Sequence, residues 1–164
     1  MPVTEAIRCY LPTTLGALAA AWETLPTTSV TVFAPADTGL RGEAREEAEW
    51  TAFEVAAAQA VDPALATGEP RVILALDAGV RPADRPLGVY PGVVTYALPG
   101  IESAWIVSAH MDEASTVDAV AGQDAQTAAQ TLLSADLLWY DAAEIPLLID
   151  SSSQGPAAAC AGIE

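Results

Sequence analysis

Residues 71–77 read Arg-Val-Ile-Leu-Ala-Leu-Asp, a nearly continuous apolar run. A run this short, without polar alternation, is expected of a strand covered on both sides. The chain must therefore build a sheet with this segment near its centre. Around it, residues 6–11 read as a first strand, stopped by Pro12. Thr13 and Thr14 then offer a helix cap before Leu15, Leu18, Trp22 and Leu25 recur at helical spacing, and Pro26 ends that helix. Residues 29–34 alternate as a second strand, with Val30 and Val32 on one face and Thr31 and Phe33 on the other.

The surest helix is 43–61, which no Gly or Pro interrupts. Trp50, Phe53, Ala57 and Val61 form its apolar stripe, and Glu43, Glu47 and Glu54 make the opposite side acidic. Arg45 and Glu49 add an i,i+4 pair. Residues 79–92 carry three prolines and two arginines and read as a long surface loop. Residues 93–98 form a further strand, 101–105 one helical turn, and 106–112 another extended segment. A helix with a weak point at Gly122 is expected over 114–134, a last helix over 136–144 stopped by Pro146, and a short strand over 147–149. This order predicts an α/β or α+β fold. It is a two-layer or three-layer sandwich with one mixed sheet of about five strands and three to four helices. One domain is expected over 1–150, with a flexible tail over 151–164.

Composition restricts the chemistry more than it restricts the fold. The chain has no lysine and no asparagine, and all six of its basic side chains are arginine. Schiff-base catalysis by lysine and the P-loop lysine are thereby excluded. The net charge of −16 repels phosphate backbones and attracts basic partners, which argues against nucleic acid. No apolar run approaches the ~20 residues of a membrane span. Cys9 and Cys160 lie in unlike settings and read as reduced thiols, so a cytoplasmic location is expected. No cofactor fingerprint occurs, and cysteines and histidines are too few for a structural zinc.

Two constellations carry the candidate chemistry. On the 106–112 strand, Ser108, His110 and Asp112 share one face, opposite Trp105, Val107, Ala109 and Met111. A triad reading fails on distance. Neighbours on one strand face lie roughly 6.6 Å apart at the backbone, well beyond the reach of a proton relay. A histidine bonded at a strand end, or one that binds a ligand, is left. The second constellation is the run from Leu137 to Pro146, where Asp141 and Glu144 lie three apart. On a helix such a pair projects from one side and suits a hard cation or an acid–base pair, or it caps a neighbouring loop. Arg71, Arg81 and Arg85 would suit an anionic ligand, but pairing with the abundant carboxylates is favoured.

The strings Cys9-Tyr10-Leu11-Pro12-Thr13-Thr14-Leu15, Glu46-Glu47-Ala48-Glu49-Trp50-Thr51-Ala52, His110-Met111-Asp112-Glu113 and Leu137-Leu138-Trp139-Tyr140-Asp141-Ala142-Ala143-Glu144-Ile145-Pro146 resemble a family of uncharacterised conserved actinobacterial proteins. The resemblance runs through Ile149 and implies no mechanism. The residues themselves favour a non-enzymatic interaction or regulatory protein, one that binds a basic protein partner through its acidic helix and the surface 139–144. The alternative is a small-molecule or metal-dependent enzyme or binder built on His110, Asp112, Asp141 and Glu144. The candidate binding residues are His110, Asp112, Trp139, Tyr140, Asp141 and Glu144.

Overall fold

The computed structural model describes residues 6–79 and 88–153. Its elements in chain order are β1 (Ile7–Thr14), α1 (Leu15–Ala21), a 3-10 turn (Trp22–Thr27), β2 (Val30–Pro35), α2 (Gly42–Gln59) and α3 (Val61–Thr67). Then follow β3 (Arg71–Ala78), β4 (Gly88–Tyr90), β5 (Val93–Leu98), a turn (Ser103–Trp105) and β6 (Ile106–Asp112). The chain continues through α4 (Ala114–Ala121), α5 (Ala125–Ser134), β7 (Leu137–Asp141), a turn (Ala142–Glu144) and α6 (Ile145–Ser153).

The strands form one open sheet in the order β4-β5-β2-β1-β3-β6-β7. Every pairing is antiparallel, so the fold is α+β, and the sheet is neither mixed nor limited to about five strands. As its apolar run requires, β3 is near the centre, between β1 and β6, and Val72 to Leu76 are at most 2% exposed. Helices cover both faces. On one, Ala52, Phe53, Ala56 and Ala60 pack on Tyr10, Phe33, Ile73, Ala75 and Val93. On the other, Leu18, Leu25, Ile101 and Ile145 pack on Cys9, Leu11, Val32, Leu74 and Ala109.

Several local expectations are corrected. Pro12 does not stop β1, which pairs with β3 as far as Thr14. Pro26 lies inside the 3-10 turn instead of ending a helix. The 114–134 segment breaks into two helices, with Asp124 capping the second through the Thr127 N–H at 2.9 Å. Residues 137–141 are a strand, because β6 offers an edge on which Leu137, Leu138, Trp139 and Tyr140 pair, and aromatic residues suit a pleated surface. Residues 147–149 belong to a helix, since Pro146 sits in its first turn, where a missing N–H costs nothing. Of the 79–92 segment, Gly88–Tyr90 forms a hairpin with β5 through Gly92, whose φ of 76° requires glycine. Arg81 and Arg85 lie outside the described residues, as does most of the tail.

Candidate functional site

Helix α2 crosses the sheet and leaves the β6–β7 margin partly open on its own side. The ladder registers fix what lies there. His110 stands opposite Ile73 on one side and Trp139 on the other, and Ser108 stands opposite Asp141. Directly opposed residues on one face have Cβ atoms about 4.5–5.5 Å apart. Over them lies the α2 aromatic pair. Phe53 places its ring 4.7 Å from His110, stacks on Trp50 at 5.3 Å and meets Tyr10 edge-on at 5.8 Å. Trp50, Phe53 and His110 thus stack in one row, and Trp139 extends it as the neighbour of His110 across the β6–β7 ladder. Its ends are open: Trp50 and Trp139 are each 59% exposed, whereas Phe53 is buried.

Charge surrounds this row unevenly. Glu46, Glu47 and Glu54 are exposed and lie three or four residues from Trp50 on the helix, so they flank its indole. Asp141 follows two residues after Trp139 on the same strand face. Arg8 forms a fork to Asp77, with Nε donating to Oδ1 at 2.7 Å and Nη2 to Oδ2 at 3.3 Å. That hydrogen bond raises the Arg8 pKa. Arg45 pairs with Glu49 at 3.0 Å. Glu46, Glu47 and Glu54 have no such basic partner among the described residues.

The remaining candidates are engaged elsewhere. Asp112 is fully buried and accepts from the Arg71 backbone N–H, Nε and Nη2 at 2.8–2.9 Å. Both its oxygens are thereby occupied, and Arg71 pairs with a carboxylate rather than with a free anion. Asp141 and Glu144 form a capping box: Glu144 Oε2 accepts from the Asp141 N–H at 2.8 Å, and Asp141 Oδ2 accepts from the Ala143 N–H at 3.1 Å. They sit on a strand end and the turn after it, so the helical juxtaposition of the two carboxylates does not arise. Tyr140 points to the opposite face, against the Leu74 and Ala109 core. No group of three or more His, Cys, Asp or Glu side chains among the described residues is placed to hold a metal ion. The Cys9 thiol is buried and desolvation pushes its pKa up to about 12, which makes it a poor nucleophile.

Helical spacing places Trp50 in the apolar stripe, but its indole is exposed. The signal was present, because three of its helical neighbours at i±3 and i±4 are glutamates.

Two expectations follow from these contacts. Asp141→Ala removes a cap, and a loss of about 1 kcal/mol is expected. Thermal unfolding measures it. For His110, burial lowers the pKa from its ordinary value near 6.5. The unfolded chain then takes up a proton that the folded chain refuses. Stability is full above pH ~6.5 and declines as pH falls from there towards the depressed folded pKa. Urea midpoints at pH 7.5 and 5.5 should show this loss, and His110→Phe should reduce it.

A family model described as a family of unknown function matches residues 7–149. No curated protein and no solved structure matches the chain. No helix among the described residues is long and apolar enough to cross a membrane.

Proposed function

The chain belongs to the family of unknown function DUF6912, and from that premise we propose that it is a non-enzymatic interaction protein that docks an extended, basic segment of a partner protein beside the edge strand β7, its side chains reaching over the Trp50–His110–Trp139 row. The observation that carries this reading is the pair of exposed tryptophans at the ends of one aromatic row, beside carboxylates without basic partners among the described residues. Exposed Trp is unusual on a solvated surface and is enriched where partners anchor. Indole faces attract guanidinium and ammonium groups, and flanking carboxylates strengthen that preference.

The edge strand β7 supports an extended shape for the ligand. Among the described residues it pairs with β6 on one side only, and its five residues contain no Pro, Lys or Arg to protect the other edge. A partner strand added there would satisfy the free backbone groups and place alternate side chains beside Trp139 and Asp141. The enzymatic alternative draws less support, because Asp112, Asp141 and Glu144 already serve the protein's own hydrogen bonds.

A labelled peptide of alternating Arg and Val residues tests the reading by fluorescence anisotropy. Saturable binding is expected at 20 mM salt, with weakening as salt rises. The double charge reversal Glu47→Lys with Glu54→Lys should weaken it at least tenfold. No binding by the unaltered protein, or equal binding by the reversed one, would defeat the proposal.

A further inference from the structure

We infer that the cleft between β1 and β2 is a second, independent site, one that takes a compact, uncharged and largely apolar small molecule. The two strands are neighbours in the sheet but pair only at Tyr10↔Phe33. By contrast, β1 follows β3 from Ile7 through Thr14, and β2 follows β5 from Val30 through Pro35. Beyond Tyr10 the strands part, leaving a cavity of about 480 Å³. That lies within the roughly 300–1,000 Å³ of small-molecule sites.

The gap has structural causes. Pro12 lies in the diverging stretch and brings no N–H to a ladder. The segment joining the two strands is tied down in opposite directions. At its start the Leu15 N–H donates to the Pro70 carbonyl beside β3, at 3.2 Å. Near its end the Leu25 carbonyl accepts from the Ile101 N–H beyond β5, at 2.8 Å. Gly100 lies so close to the Pro26 carbonyl that a Cβ there would collide with it. One end is therefore held with β3 and the other with β5, and the sheet stays open between them.

The lining selects the ligand. Leu11, Leu18 and Leu25 are buried and form an apolar floor, the buried Phe33 lines the α2 side, and Thr31 and Gln59 are exposed at the mouth. Among the described residues no charged side chain contributes, although the chain carries 22 acidic residues. A cation finds no carboxylate there, and an anion meets the repulsive field of a molecule with net charge −16. An uncharged body on the floor, with one hydroxyl or amide reaching Thr31 or Gln59, matches what remains.

The neutral dye Nile red, titrated into the full chain, provides the test. One saturable site with blue-shifted emission is expected. Ala17→Phe and Thr31→Trp, both at exposed positions of the lining, should each weaken it at least tenfold while circular dichroism stays unchanged. Trp139→Ala should leave it intact, which separates this site from the aromatic row. Amide shifts in the unaltered protein, expected at Leu11, Thr13, Val30 and Thr31, decide the matter even where a variant fails to fold. Absence of saturable binding, full affinity in the filled variants, loss on Trp139→Ala, or shifts confined elsewhere would each overturn the inference.

Discussion

Asp112→Ala is expected to destabilise the protein by about 3–5 kcal/mol, because it leaves a buried guanidinium without its counter-charge. Arg71 is 2% exposed and Asp112 1%, and their contact is bidentate. Arg71 also donates Nη1 to the Ala57 carbonyl at 3.2 Å and Nη2 to the Leu132 carbonyl at 2.6 Å. One side chain thus joins the start of β3, the end of β6, the α2 C-terminal region and α5. The double variant Arg71→Met with Asp112→Leu should lose less than the sum of its single variants, since the pair is removed together. Its loss should stay above zero, because the Arg71 backbone N–H still lacks the acceptor Asp112 provided. Urea unfolding with unchanged slope measures all four corners of the cycle. A catalytic carboxylate would instead be replaceable at small cost to the fold.

The second large effect belongs to the aromatic row. Trp50→Ala and Trp139→Ala should each weaken peptide binding by about 2 kcal/mol, close to thirtyfold, while unfolding midpoints stay nearly constant. Binding and folding separate here because both indoles are more exposed than buried. Phe53→Ala should behave in the opposite way. Its ring is 8% exposed and touches Tyr10, Trp50 and His110, so its loss should cost about 3–5 kcal/mol of stability. Tyr140→Ala, which alters the far face, should affect folding more than binding.

How far the sequence could be read follows from whether a signal is local. The apolar run at 72–76 and the alternation along 108–112 are local, and both are legible; Val107 departs from the expected face and packs on the α2 side, where the β3–β6 register shifts. The placement of Ser108, His110 and Asp112 on one side followed directly from that alternation. The pairing of β7 is not local. Leu138, Ala142 and Ile145 satisfy a helical period as well as Leu137, Trp139 and Asp141 satisfy a strand period. Only the presence of β6 decides between them. The mistaken helix also made Asp141 and Glu144 look like neighbours on one helical face, when they are the two halves of a cap. Trp50 shows the same weakness in another form. Helical spacing placed it in a stripe with Phe53, but it does not reveal where the edge of the underlying sheet lies. The β1–β2 cleft had no sequence signal beyond Pro12, because it arises from how a connecting segment is tied to two different neighbours.

The chain's four tryptophans provide the most direct measurement of the central claim, that the Trp50–His110–Trp139 row is the surface that receives a partner. Trp22 and Trp105 pack against the core on the opposite side of the sheet, so the four indole N–H signals divide by face. Titration of the Arg–Val peptide, followed by indole and amide resonances, should move Trp50 and Trp139 together with the amides of residues 137–141. Trp22 and Trp105 should stay fixed. Movement of Trp22 or Trp105 without Trp50 and Trp139, or no movement of any indole at saturating peptide, would contradict the account.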